Sequence, residues 1–558
     1  MPAIAKLIGG AGTGKTTELL QTMERAIEAG GYSPEQVGFV SFTRAARHEA
    51  ASRAADKFGC KQDDLERHGW FRTLHSIAFR CLGVNGELIA DDKDGREWLR
   101  TALGEDATCE PKAEQDISEI SDSQESDTSK SLRLWSLARS RLESLDATYD
   151  DVSAFTEYMP ERDYCRDVVH RYEQRKLMDN RCDFVDLAGR FSGWRFSLAG
   201  ASKCDPQGEV PHVPVWVVDE AQDISPLLAD VVHRLLSSPT CHWAYLAGDP
   251  FQEIHSFGGA DHRCFLEWPA SKQKTMPQSW RCPAPIFDLG EQILSGCSDY
   301  FDRGIKPAAH DGDWMECDTW ELPMSEVNPA DSWLFLARTN RQARMFMARL
   351  EDEGIPWVPT KGNGGWARPA LNEAMKALLD LEQGHPIDVD QWRRVLDFVP
   401  SNAEGQALLV RGTKTQWADR SVEPPGLGAM VDPPAGAAHS RIVDLALFGA
   451  TPALIEAIRC GVWRRLIPQA TAFAAAVERW GIDAVMKPKV AAGTVHSVKG
   501  AEADNVVLLA TLTGPSARSV VTQDGEDAER RLAYVGVTRA RQRLWIVKER
   551  KKASFPGL

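Results

Sequence analysis

LIGGAGTGKTTELL, residues 7–20, carries Gly9, four further residues, then Gly14, Lys15 and Thr16. That spacing belongs to phosphate-binding loops. AIAKLI, just before Gly9, is an apolar run of strand length. TTELLQTMERAIEAG, just after Lys15, repeats apolar residues at helical spacing and runs into Gly30-Gly31, a helix stop. The loop therefore joins a strand to a helix N-terminus, where free N–H groups and the helix dipole favour phosphate. Gly9, Gly10, Ala11, Gly12, Thr13, Gly14, Lys15, Thr16 and Thr17 form the expected cradle. Glycine lets the backbone come close, Lys15 reaches the β- and γ-phosphates, and Thr16 offers its hydroxyl to Mg²⁺. ATP and Mg²⁺ are the expected cofactors.

The chain has 558 residues, too many for one ordinary core. Its apolar content of 43% and charged content of 26% are those of a globular protein. No apolar stretch is long enough to span a bilayer, and the N-terminal apolar run continues directly into the phosphate loop. A core strand is expected there rather than a signal peptide, and a cytoplasmic location with no membrane partner. The 12 Cys show no paired spacing of a zinc site and fit a reducing compartment. A net charge of −15 excludes a generic basic coat for nucleic acid, though not a local nucleic-acid groove. Part of the acidity lies in GEDATCEPKAEQDISEISDSQESDTSK, residues 104–130, which reads as a polar loop.

VGFVSF, VWVVD, WAYLAGD, WLFLART, NVVLLAT and RLWIV are short and almost wholly apolar. Such runs suit strands buried on both faces of a parallel sheet, and the helical patterns between them give an α/β protein. They divide into two α/β cores, each interrupted by a mostly helical insertion. The expected division is 1–80 and 212–275 for the first core, with insertion 81–211. The second core takes 276–383 and 488–550, with insertion 384–487, and 551–558 form a basic tail. The second insertion is broken by a Pro/Gly-rich loop, VEPPGLGAMVDPPAGAA.

VWVVDEAQDISPL puts Asp219 and Glu220 after a buried strand, at the carboxyl end where ligands bind in open α/β sheets. An Asp there holds Mg²⁺ largely through water, and the next Glu activates the attacking water. Gln252, after the strand WAYLAGD, is placed to sense the γ-phosphate. Hydrolysis also needs positive charge on that phosphate in the transition state. Two arginines are candidates: Arg281 in QSWRCPAP, and Arg539 in ERRLAYVGVTRARQRLWIV, expected on a helix. If both reach the nucleotide, ATP lies between the two cores.

These blocks carry a family resemblance. GGAGTGKTT, SFTRAARHEA, TLHSIAF, CDFVDL, VDEAQDISPL, AGDPFQEIHSFGGAD, QSWRCPAPI, FLARTNRQAR, GTVHSVKGAEADNVVL and ERRLAYVGVTRARQRL span almost the whole chain. In that order they resemble the UvrD/Rep/PcrA-like helicases of superfamily 1. The resemblance implies two RecA-like cores, and it implies ATP-driven 3′→5′ movement on single-stranded DNA with duplex unwinding. It makes Lys15, Thr16, Asp219 and Glu220 the phosphate, Mg²⁺ and water-activating residues. Gln252 becomes the γ-phosphate sensor, Arg281 and Arg539 the arginine fingers, Glu502 the ribose contact and Trp280 the adenine-stacking ring. It draws a DNA track through Phe42, Thr43, Arg44, Thr73, His75, His255, Phe257, Arg338, Thr339, Asn340, Thr494 and His496. Rings that stack on any base, and hydroxyls and Arg that hold phosphate, suit such a track. The implied partners are single-stranded DNA and single-strand/duplex junctions, with repair or replication proteins, around a monomer.

The chain departs from the family's pattern in places. The adenine-reading Gln segment expected ahead of the loop is missing, which leaves base selectivity open between acceptance of other nucleoside triphosphates and reliance on Trp280 alone. Phe257 stands where a stacking Trp is usual, His255 where a Tyr is usual, and Gly258 where an Arg commonly follows. Two alternatives share most of the motifs: a translocase that strips proteins from DNA but unwinds poorly, and the helicase subunit of a helicase–nuclease complex. A P-loop kinase or signalling ATPase fits FTRAA, TLHSIAF and VHSVKG poorly.

Overall fold

The computed structural model describes residues 2–41, 44–84, 87–89, 92–104, 107, 126–154, 159–362, 364–366, 368–403, 405–418, 430–431, 441–442, 444–467 and 470–558. The acidic segment 104–130 and the Pro/Gly-rich segment 422–438 lie largely outside them. Contacts divide the chain into two compact units. Unit 1 is Met1–Trp320 with Val495–Leu558, and unit 2 is Glu321–Thr494.

Unit 1 holds a six-stranded sheet of β1 (Ala3–Ile8), β2 (Val37–Val40), β3 (Trp70–Arg72), β4 (Val215–Val218), β5 (Trp243–Gly248) and β6 (Lys272–Thr275). The order is β3-β2-β4-β5-β1-β6, and every pair is parallel. β2 and β4 are apolar throughout because both faces are covered. Val215 and Val217 join the core cluster on one face, with Phe39 and Ala247. Trp216 and Val218 join the cluster on the other, with Val40 and Leu246. Successive side chains on a strand point to opposite faces, so one run serves two cores. Gly38 pairs with Trp216, and a Cβ there would come within 2.2 Å of the indole.

Six further parallel strands follow: β7 (Asp313–Cys317), β8 (Trp333–Ala337), β9 (Trp357–Pro359), β10 (Val490–Thr494), β11 (Ala503–Leu509) and β12 (Ala540–Val547). Within unit 1, β7, β12 and β11 run parallel in that order; within unit 2, β8, β10 and β9 do the same. The chain is thus α/β with two parallel sheets, as the apolar runs require. All six runs quoted from the sequence are strands of these sheets.

Helix α1 (Lys15–Gly30) follows β1 and ends at Gly31, which takes the left-handed conformation glycine tolerates, with φ 65°. Between β3 and β4 the chain is mostly helical. It includes α2 (Asp127–Arg141), α3 (Arg162–Met178) and α4 (Phe184–Ser192), then a short antiparallel hairpin, Trp194–Ser197 with Gly200–Lys203. The CDFVDL block starts α4 with a capping box, Asp183 and Asp186 each bonding the other's backbone N–H. The same carboxylates take Arg139 and Lys176 into the interior. Arg139 bonds both oxygens of Asp183 at 3.1 and 2.8 Å, and Lys176 Nζ lies 2.7 Å from Asp186 and 2.8 Å from Glu173. Tyr172 adds its hydroxyl to Asp183 at 2.9 Å. Burial raises the cost of charge on Asp183, but Arg139 and Lys176 outweigh it and hold that carboxyl far below its ordinary range. Glu173, Asp183 and Asp186 are close enough to share a cation. Arg139 and Lys176 already supply that positive charge.

Unit 2 is mostly helical between Pro369 and Met486, around a core that includes Trp392, Trp463 and Phe448. In unit 1, helix α5 (Gln523–Val537) leads into β12. Arg539 was expected on this helix. It sits instead two residues beyond it, because α5 ends at Val537 and the chain turns at once into the strand. Among the described residues no helix is long and apolar enough to cross a membrane.

Candidate nucleotide site

The loop Gly9–Gly14 leaves β1 and enters α1, so the N–H groups of the first helical turn face out of the carboxyl end of the sheet. Gly12 and Gly14 take φ of 66° and 81°, a region that costs a residue with a side chain. Thr13 Oγ1 donates to the Gly10 carbonyl at 3.0 Å and closes the loop. Lys15 is buried, and its Nζ donates to the carbonyls of Gly9 and Gly10 at 3.3 and 3.2 Å. Thr17 accepts from Arg53 at 2.8 Å.

β4 carries Asp219 and Glu220 to the same end of the sheet. Thr16 Oγ1 donates to Asp219 Oδ2 at 2.8 Å, so the two expected Mg²⁺ ligands already meet. Burial and the neighbouring Glu220 push the Asp219 carboxyl up to about 6, against the pull of Thr16 and Lys15. An acid whose charge is costly gains most from a cation. Glu220 is also desolvated, but Lys15 and Lys499 hold its carboxyl below the ordinary range. Its backbone is left-handed, φ 52°, a strained state for a residue with a side chain. Gln222 Nε2 holds the Glu220 carboxylate at 2.6 Å.

Four further segments reach this place within unit 1. Ser279 Oγ donates to the Ala11 carbonyl at 2.8 Å, and Trp280 N–H to the Gly12 carbonyl at 2.9 Å. The strand Gln278–Pro283 is thereby pinned to the loop. A Cβ on Gly12 would strike Arg281 Cβ at 2.3 Å. The Trp280 side chain is 71% exposed. Arg281 Nε bonds Glu502 at 2.6 Å, and Glu502 also takes Arg541 at 3.1 Å. Arg539 is buried and donates to the carbonyls of Val535 and Ala501 at 2.9 and 3.1 Å. Its Nη2 lies 3.5 Å from Gln252 Oε1. Burial, then the like charge of Arg281, draw the Arg539 guanidinium down to about 10, so it stays charged at neutral pH. Lys499, of VHSVKG, pairs with Asp223 at 2.5 Å and bonds the Gln252 carbonyl at 2.9 Å.

All the sequence-selected nucleotide residues therefore lie in unit 1, drawn from both ends of the chain. Ser279, Asp223, Lys499, Asp249, Arg303 and Tyr534 were missed. Most of them lie inside quoted blocks, but their motif positions assign no chemistry to them until the fold gives them partners.

The DNA-track candidates are placed less uniformly. Phe42 and Thr43 lie outside the described residues, and of Arg44 only the backbone, which opens a helix, is described. Thr73 caps the helix Leu74–Leu82, accepting from Ser76 N–H. His75 meets Phe184 edge-on, ring centroids 6.0 Å apart, and desolvation pushes it down to about 4, so it is neutral at pH 7. His255, Phe257 and His496 form a ladder of edge-to-face rings at 5.6 and 5.7 Å. Phe257, the ring expected to stack on a base, is only 7% exposed. In unit 2, Arg338, Thr339 and Asn340 follow β8, and Thr494 ends β10, where it is the register partner of Ala337. Thr339 forms a capping box with Gln342, so its hydroxyl is engaged at the helix start.

A phosphate loop at the carboxyl end of a parallel sheet, joined there by acidic and arginine side chains, defines a P-loop nucleotide-binding protein. Residues 3–273 match the UvrD/REP helicase N-terminal domain, and residues 476–551 the UvrD-like helicase C-terminal domain. The chain is 23% identical over 664 aligned positions to the ATP-dependent DNA helicase UvrD1 of Mycobacterium tuberculosis, covering 98% of this chain and 80% of that one. It is 24% identical over 584 to UvrD2 of the same organism, covering 96% and 75%. With YjcD of Bacillus subtilis (strain 168) it shares 23% over 387 positions, 64% of this chain and 47% of that one. It spans about half the length of YjcD. The chain belongs to the UvrD-type family of ATP-dependent DNA helicases.

Proposed function

We propose that unit 1 binds Mg·ATP at the loop Gly9–Thr17 and hydrolyses it to drive 3′→5′ movement along single-stranded DNA, opening duplex at single-strand junctions. One observation carries this reading: five segments distant in sequence converge on one loop. Lys15 exchanges its loop carbonyls for the β- and γ-phosphates. Thr16 and Asp219 would hold Mg²⁺, which would offset the charge of the phosphates. Glu220, held as a carboxylate by two lysines, takes the proton of the attacking water. Arg281 and Arg539 meet the charge that develops on the γ-phosphate. Gln252, already beside Arg539, responds to that phosphate. Trp280 offers an exposed ring to the base, and Glu502 a carboxylate to the ribose.

The burial of Phe257 favours a second reading, a single-strand translocase that displaces proteins and unwinds poorly. A ring shared with two histidines has less face to give a base.

Steady-state ATP hydrolysis with and without single-stranded DNA, beside Glu220→Gln, tests the first reading. Strong stimulation, lost in the variant, is the expected result. Turnover indifferent to DNA would overturn it. Tailed duplexes of both polarities then separate unwinding from translocation and fix direction.

A further inference from the structure

The phosphate loop is also held from behind. Ala11 N–H donates to the Tyr534 hydroxyl at 3.2 Å. Tyr534 belongs to α5 and is buried. Its hydroxyl donates to Asp249 Oδ2 at 3.3 Å and accepts from Arg303 Nη1 at 3.3 Å. That exhausts a hydroxyl's one donor and two acceptor sites. Arg303 Nη1 also bonds Asp249 Oδ1 at 2.7 Å, and its Nη2 bonds Glu291. Burial pushes the Tyr534 hydroxyl far above its ordinary range, so it keeps its proton at any working pH.

The chain of bonds runs on. Asp249 Oδ1 accepts from Phe251 N–H at 3.2 Å and so caps the short turn Pro250–Gln252 that presents Gln252. Asp249 N–H donates to Gln222 Oε1 at 3.0 Å. Gln222 Nε2 in turn donates to the Glu220 carboxylate at 2.6 Å. The loop amide of Ala11 and the carboxylate of Glu220 are therefore the two ends of one connected path, through Tyr534, Asp249 and Gln222.

We propose that Tyr534 and Asp249 are positioning residues for ATP hydrolysis: they fix where the phosphate loop stands relative to Glu220 and Gln252, without touching nucleotide. The proposal rests on reading this site as the one that hydrolyses ATP. The fit behind the loop leaves little slack. A Cβ at Gly10 would lie 2.9 Å from Ile305 Cδ1, 3.4 Å from Arg303 Nη1 and 3.5 Å from the Tyr534 hydroxyl. The Asp249 carboxylate is fully buried and accepts from an arginine, a hydroxyl and an amide, which makes it a fixed point. Water attack on a phosphate depends on distance and line, so a shift of the loop by a fraction of an ångström slows turnover while leaving the phosphate contacts themselves intact.

Tyr534→Phe removes one oxygen and keeps the ring. The expected result is a fall in kcat of about tenfold with KM for ATP within about twofold, and a melting temperature lowered by a few degrees at most. The double variant Tyr534→Phe with Asp249→Asn should lose about as much as the worse single variant, since both break one path. Lys15→Ala is measured alongside. A normal kcat in Tyr534→Phe beside an inactive Lys15→Ala overturns the positioning role and leaves the ATP site standing. A lowered melting temperature with normal kcat makes Tyr534 structural only, and multiplying losses in the double variant dissolve the path. ATP turnover in Lys15→Ala overturns the reading of the site itself. Should Tyr534→Phe not fold, Asp249→Asn carries the same expected split.

Discussion

Two of the buried polar networks in unit 1 are built differently. In the helical insertion, Arg139 and Lys176 are matched against Asp183, Asp186 and Glu173 by short bonds, with Tyr172 adding one more. Every charge there has an opposite charge beside it. At the phosphate loop, Lys15 is satisfied by two carbonyls, Arg539 by carbonyls and a distant amide, and Asp219 by a hydroxyl. Neutral partners satisfy these groups without neutralising them. The first network is complete in itself. The second keeps charges that a phosphate and a cation can still claim.

That contrast makes the two networks separable by mutation. The largest effect is expected from Lys15→Ala, which should abolish ATP turnover while moving the melting temperature by no more than a few degrees; a steady-state assay with a thermal melt checks both. Arg539→Ala should slow hydrolysis about a thousandfold, as the loss of an arginine finger does. A rate close to that of the parent chain would remove it from the phosphate. Asp183→Ala should do the reverse, costing about 3–5 kcal/mol of stability by leaving Arg139 and Lys176 buried without their partner. Denaturant titration reads that cost, and per-molecule turnover of the folded fraction should remain. The sign with pH follows. Asp183 is held below its ordinary range when folded, so its contribution is full above pH 4 and is lost as the pH falls toward its folded value. Acid should therefore weaken the parent chain more than the variant. The smallest effect is expected from Phe257→Ala. A loss of about 1–3 kcal/mol in coupling to single strands marks base stacking, while a comparable loss of stability alone marks a core ring.

The sequence revealed the middle of each sheet and hid its rims. VWVV is central, covered on both faces, and so continuously apolar; WAYLAG is central too and is covered over its last three residues, with Trp243 exposed at its start. The strands at the rims are WFR, KQKT, DWMEC and WVP. These are short and partly exposed, and KQKT carries two lysines, a composition that protects an open edge and that reads as loop. The nucleotide site was legible for a related reason. Phosphate chemistry allows few residue types, so Lys15, Asp219 and Glu220 announce themselves. Tyr534, Asp249 and Arg303 do not, because a hydrogen bond from a tyrosine to an amide 523 residues away leaves no local pattern. The DNA track was least legible, since stacking tolerates many rings and burial cannot be read from ring identity: Phe257 proved largely covered.

That same separation sets an order of assembly. A ribosome extends a chain by about 5–20 residues per second, so the phosphate loop waits roughly half a minute to two minutes for the helix that will brace it. Throughout that interval the loop lacks its brace and Arg539, while Arg281 arrives near the midpoint. The brace and Arg539 then arrive together, five residues apart in the sequence.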